Sequence, residues 1–219
     1  VYDFVLGVKD EAGKVNRTEF ELSISNKPPV INSVEYDGDD LDNGSIVTDG
    51  DISVDASSNG VELQDLTYSW GSQQSGSIED GGFEVNVSDG NYTLEITAED
   101  TLGNTESETF QNVLVETTPP ELDLSRETSE GWFSSHDISV SCSDGGSGVE
   151  ETAVFTGDDR VKEWRETGET SFNISEHGQR TFEFRCKDKA GNVQSETLSL
   201  KIDSKAPEVE GFTPEDGSE

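Results

Sequence analysis

Carboxylates are the side chains best placed to do chemistry in this chain. Among 219 residues, 48 Asp and Glu stand against 14 Lys and Arg, with two His and two Cys. Carboxylate and carbonyl oxygens are the ligands calcium prefers, so calcium is the one cofactor the composition points to. The densest acidic run, Asp37-Gly38-Asp39-Asp40-Leu41-Asp42, lacks EF-hand spacing, because Leu41 falls where a ligand oxygen is needed. Hydrolysis through a nucleophile requires that nucleophile beside an activating base. His136 and His177 belong to no such motif, and both are expected in solvent-exposed turns. No Gly-rich phosphate loop, His-x-x-x-His or Cys-x-x-Cys occurs. The chain is therefore expected to be non-catalytic. Asn16, Asn43, Asn86, Asn91 and Asn173 each open an Asn-x-Ser/Thr sequon, which makes them candidates for N-glycosylation.

The elements that would position these groups must be built from little apolar material. Hydrophobic residues make up 30% of the chain and aromatics 8%. That is thin for a large helical core but workable for small β-sandwiches, which bury one residue in two. No apolar run approaches the ~20 residues of a membrane-spanning helix, so no direct membrane insertion is expected. A formal charge of −34 excludes nucleic-acid binding through a basic surface. The chain contains no Met and shows no signal-peptide pattern at Val1, so it reads as an interior piece of a longer protein.

A repeat with a period near 89 sets the architecture. Asp10-Glu11-Ala12-Gly13-Lys14, Asp100-Thr101-Leu102-Gly103-Asn104 and Asp188-Lys189-Ala190-Gly191-Asn192 share Asp-x-x-Gly-Asn/Lys. Each follows an alternating apolar run: Phe4/Leu6/Val8, Leu94/Ile96/Ala98 and Phe182/Phe184/Cys186. Each precedes another: Phe20/Leu22/Ile24, Val113/Val115 and Leu198/Leu200/Ile202. Two period-2 runs around a Gly-bearing turn predict a β-hairpin, with Gly supplying positive φ and Asp capping the turn. Pro28-Pro29, Pro119-Pro120 and Ala206-Pro207 recur at nearly the same spacing and mark stiff strand-end linkers.

A second alignment sets Asp51-Ile52-Ser53-Val54-Asp55-Ala56 on Asp137-Ile138-Ser139-Val140-Ser141-Cys142. Cys142 then corresponds to Ala56, and Cys186 to Ala98 and Val8. A cross-sheet pair that is Cys/Cys in one repeat and Ala/Ala in the other predicts a Cys142–Cys186 disulfide, the alternative being two free buried thiols. A disulfide points to a compartment outside the reducing cytosol.

Asp55-Ala56-Ser57-Ser58, Leu66-Thr67-Tyr68-Ser69-Trp70 and Tyr92 to Asp100 with Gly103-Asn104 resemble a PKD-type or related Ig-like domain. After Trp70, Gly71-Ser72-Gln73 departs from the PKD pattern. The next repeat resembles prokaryotic Ig-like repeats of surface proteins. It carries Pro119-Pro120, Trp132, Ser143-Asp144-Gly145-Gly146-Ser147-Gly148-Val149 and Asp188-Lys189-Ala190-Gly191-Asn192. The likeness implies an all-β fold of tandem Ig-like antiparallel sandwiches with ~7 strands each, joined by short proline linkers. The expected division is 1–27, the last hairpin of a preceding domain; 28–117 and 118–205, two complete domains; and 206–219, the first strand of a following one. On strand parity Trp70 belongs to the core. In an Ig-like sandwich the B–C and F–G loops share one end. That groups Asp55 and Glu62 with Asp100, and Asp144 and Glu150 with Asp188, as candidate calcium ligands. The same aspartates could serve only to cap turns.

The charge is unevenly spread. Residues 28–117 hold 20 acids and no Lys, Arg or His, whereas 118–205 hold 18 acids and 10 Lys and Arg. Unpaired carboxylates repel over ~10 Å at 0.1 M salt but only ~3 Å at 1 M. Molar salt, as experienced by the surface proteins of halophilic archaea, or bound divalent cations would let such a segment fold. The expected function is a stalk, lattice or adhesion spacer of S-layer or adhesin type on such a cell surface. Its expected partners are neighbouring Ig-like domains and other copies in a lattice or filament. A haloarchaeal virion fibre or spike, and accessory domains of a secreted enzyme, are the alternatives.

Overall fold

The computed structural model describes residues 2–22, 24–125, 131–164, 168–208 and 210–211. The chain forms two compact units, Val1–Thr117 and Thr118–Glu219. Every described element is a β-strand.

The first unit opens with a hairpin of β1 (Tyr2–Lys9) and β2 (Val15–Leu22), which forms a two-stranded sheet of its own. It continues with β3 (Val30–Tyr36), β4 (Asp39–Asp40), β5 (Ile46–Val47), β6 (Asp51–Ser57) and β7 (Leu63–Trp70). β8 (Ser75–Ser77), β9 (Gly82–Glu84), β10 (Gly90–Asp100) and β11 (Thr105–Val115) complete it. One sheet has the order β4-β3-β6-β9 and the facing sheet β5-β11-β10-β7-β8. With β3, β6 and β9 in one sheet and β7, β10 and β11 in the other, the pairing is that of strands A, B and E against C, F and G in an Ig-like sandwich. Ile52 and Val54 from one sheet and Trp70, Leu94, Ile96, Phe110 and Val113 from the other share one core. Trp70 is fully buried in it.

The second unit repeats the plan with β12 (Glu121–Ser125), β13 (Trp132–Phe133), β14 (His136–Ser143) and β15 (Val149–Thr156). β16 (Asp159–Trp164), β17 (Gly168–Ile174), β18 (Gly178–Asp188) and β19 (Val193–Ile202) follow. Its sheets run β12-β14-β17 and β13-β19-β18-β15-β16 around Ile138, Val140, Val154, Phe184 and Ile202. The repeat alignment holds in register. Ala56 pairs with Ile31 and Cys142 with Leu122, while Ala98 faces Glu106 and Cys186 faces Gln194.

Each sandwich has more strands than the seven the sequence suggested. The additions are short edge pieces: β4 returns on β3, β8 extends β7, and β5 and β13 run parallel to the last strand of their sheets. His136 also departs from expectation. It sits at a strand start, as the sequence places it, but is buried rather than exposed, and its ring packs 4.7 Å from that of Phe133. Of the segment expected to begin a further domain, 209 and 212–219 lie outside the described residues.

Candidate functional site

The loops at the linker-proximal end of the first sandwich hold a dense set of side-chain hydrogen bonds. The β10–β11 turn reverses through Gly103, whose φ of 80° an L side chain adopts only with strain. Asp100, fully buried, organises the turn. Its Oδ1 accepts the N–H of Leu102 at 2.9 Å and of Asn104 at 3.0 Å, and its Oδ2 accepts Asn104 Nδ2 at 2.8 Å. Burial pushes the Asp100 carboxyl up, but the hydrogen bonds from Asn104, Leu102 and Gly103 together outweigh it and hold the group below its ordinary value. The Asn104 amide also reaches outside the turn, where Nδ2 donates to the carbonyl of Ser25 in the preceding linker at 3.2 Å. Asn59, in the β6–β7 loop, donates to the carbonyl of Pro28 at 2.7 Å. Two loop amides thus grip the linker at both ends of the stretch 25–28.

The second sandwich repeats the turn. Asp188 is fully buried; its Oδ1 accepts Asn192 N–H at 2.8 Å and its Oδ2 accepts Asn192 Nδ2 at 2.9 Å. In the hairpin of β1 and β2, Asp10 Oδ1 caps Lys14 N–H at 2.8 Å.

The other candidate ligands have protein partners as well. Asp144 Oδ2 accepts Gly146 N–H at 3.1 Å and Gly148 N–H at 2.6 Å, closing the β14–β15 loop. Glu150 pairs with Lys187 at 2.6 Å and raises the lysine pKa, chiefly through that hydrogen bond. Asp55 accepts Asn32 Nδ2 at 3.1 Å, and Glu62 contributes its main-chain carbonyl, which accepts Thr101 N–H at 3.0 Å. Within the second unit, Asp144 and Asp188 bring carboxylate oxygens within 4.8 Å of one another. Asp100, Asp144 and Asp188 thus cap turn or loop amides, whereas Asp55 bonds a neighbouring side chain and Glu150 pairs with a lysine.

Cys142 and Cys186 are joined by a disulfide that ties β14 to β18 across the two sheets, with Cα atoms 6.0 Å apart. Neither is a free thiolate, so neither can act as a nucleophile. His177 Nδ1 lies 3.3 Å from Asp203 Oδ1, and its ring stacks 6.5 Å from exposed Trp132. All five sequon asparagines are exposed. Two are engaged: Asn43 Oδ1 accepts Gln111 N–H at 2.6 Å, and Asn173 Nδ2 donates to Asp137 at 2.8 Å.

The outer face of the second sandwich adds an arrangement that no motif announced. The guanidiniums of Arg185 and Arg160 sit 4.3 Å and 5.3 Å from the Phe155 ring centroid. Arg185 pairs with Glu183 at 2.8 Å, and Arg160 with Glu151 at 3.0 Å and Glu163 at 2.6 Å. Pairing of β15 with β18 sets Phe155 opposite Glu183 and so brings its ring beside Arg185.

No family model and no curated protein matches the chain. Solved structures similar to it include the fibronectin(III)-like modules of Clostridium thermocellum CbhA, with TM-score 0.49 and 14% identity over 84% of this chain and 100% of that one. A 1.5-MDa bacterial ice-binding adhesin has TM-score 0.34 and 15% identity over 93% and 74%. SGBP-B of a Bacteroides ovatus mixed-linkage glucan utilization locus has TM-score 0.30 and 12% identity over 81% and 71%. The fold assignment rests on the strand order and register given above.

Proposed function

We propose that this chain is a non-catalytic spacer: tandem Ig-like sandwiches in an extracellular surface protein that works in concentrated salt. The observation that carries the reading is the gripped linker. Asn59 and Asn104 hold the carbonyls of Pro28 and Ser25, next to a proline pair whose second member, Pro29, is buried. A flexible tether needs no such clamp; a rod does. The disulfide supports a place outside the reducing cytosol. The segment 28–117, with 20 acids and no base, supports a high-salt setting, because screening relieves its self-repulsion. Haloarchaeal origin belongs to the same proposal. So do occupancy of the five sequons by glycans and assembly with other copies in a lattice.

The functional test is replacement. In the encoded full-length protein, residues 28–205 are exchanged for two unrelated sandwiches of equal length and similar charge, or deleted. A spacer tolerates the exchange and fails on deletion. Loss of function on exchange would instead assign a specific ligand to these surfaces.

A further inference from the structure

The hairpin of β1 and β2 has one continuous apolar face, exposed among the described residues. Register pairs Tyr2 with Leu22, Phe4 with Phe20, Leu6 with Thr18 and Val8 with Asn16, so these residues share a face. Phe4 is 43% exposed, Phe20 49%, Leu6 60% and Val8 66%. The other face sets Val5 and Val15 among Asp3, Lys9, Arg17, Glu19 and Glu21, and suits water better.

The same hairpin occurs twice more in this chain, covered. Leu94 pairs with Phe110, and Phe182 with Leu198, at the positions of Phe4 and Phe20. There the exposures are 0% and 6%, and 6% and 8%. In both sandwiches the cover is a facing sheet made of strands that precede the hairpin: β3, β6 and β9 in one, β12, β14 and β17 in the other. In both, the first hairpin strand is also flanked by a further strand, β7 on β10 and β15 on β18, where β1 has a bare edge. A second copy of the hairpin is a poor cover. A face of eight-residue strands is about 26 Å long and about 10 Å wide. Two such faces bury well under the ~1,200 Å² of a stable complex, and stacking them leaves both bare edges unpaired.

We infer that this face is the docking surface for the segment preceding it in the encoded protein, which supplies a strand along the β1 edge and a facing sheet over Phe4, Leu6 and Phe20. The two internal copies set its length: β10 begins 60 residues after β3 begins, and β18 begins 57 after β12. The occupant is therefore about 60 residues of alternating apolar pattern that complete an Ig-like sandwich. This stands apart from the spacer reading, since a completed sandwich could serve any function.

The test compares the 219-residue chain with the encoded chain extended about 65 residues upstream, by hydrogen exchange resolved to β1 and β2. In the extended chain the β1 amides should exchange roughly a thousandfold more slowly than in the shorter one, as core strands do. Phe4→Asp should abolish that protection while leaving exchange in β10 and β18 unchanged. Fast exchange of β1 in both chains would overturn the inference. So would a stable dimer of the 219-residue chain, seen by sedimentation and dispersed by Phe4→Asp, because it would give the face to a second copy.

Discussion

The buried aspartates show how one side chain serves a turn that glycine alone would leave loose. Asp188 satisfies a main-chain and a side-chain donor of Asn192. Asp188→Ala removes the acceptor those donors share, and losing a buried acceptor costs about 1–3 kcal/mol; denaturant melts of the second sandwich should register that loss. Asp100 adds a pH signature. Its native pKa is lowered, so it contributes stability above the unfolded carboxylate value of ~3.9, and that contribution is lost as pH falls through the lower native value. Asp100→Asn should flatten that part of the acid titration of stability, which pH-dependent melts would detect. The disulfide makes a third case. It closes a separation of 44 residues, for which the chain-entropy account gives about 4 kcal/mol. The double variant Cys142→Ala/Cys186→Ala restores the alanines that the first sandwich carries at 56 and 98, so packing should survive. The oxidised wild type should exceed it by no more than that amount in guanidinium titrations.

Hairpins and linkers are where sequence and structure meet most closely. Asp-x-x-Gly-Asn between period-2 runs specified β10–β11 and β18–β19, because a turn needing positive φ and a capped reversal leaves few residue choices. Cys142 and Cys186 were paired from the repeat alignment, which sets them on Ala56 and Ala98, and register in a half-buried strand is fixed by its apolar face. Two-residue strands such as β5 and β13 carry no period, so nothing in their sequence announced them. His136 was expected to be solvent-exposed, but it is buried beside Phe133, which the parallel pairing of β13 with β19 holds in place. The aspartates were visible as a recurring set, yet capping and ligation demand the same residue types. At this scale the linker clamp is the feature to break. Asn59→Ala and Asn104→Ala each remove a hydrogen bond to the linker, worth about 1 kcal/mol. The pair should accelerate hydrogen exchange at the amides of residues 25–27 several-fold, with β6 unaffected.

Charge is the property of the whole molecule that no single contact explains. The second sandwich spreads Arg160, Arg180, Arg185 and Lys187 among its carboxylates, in half-exposed pairs that salt screens and that individually add little to stability. Together they still offset part of the negative charge. Residues 28–117 have no such relief, and mutual repulsion of 20 carboxylates opposes their compact state. Salt should therefore stabilise 28–117 more steeply than 118–205, whose 10 cations offset more than half of its 18 acids. Bound calcium would act differently, raising stability in a saturable way at micromolar to millimolar concentration and replacing much of the salt requirement. The most direct measurement is a set of thermal melts of 28–117 and 118–205 across KCl from low to molar concentration, with and without Ca²⁺. The melting temperature should climb with KCl, more steeply for 28–117, with little added effect of Ca²⁺. A melting temperature of 28–117 indifferent to KCl would refute the high-salt reading.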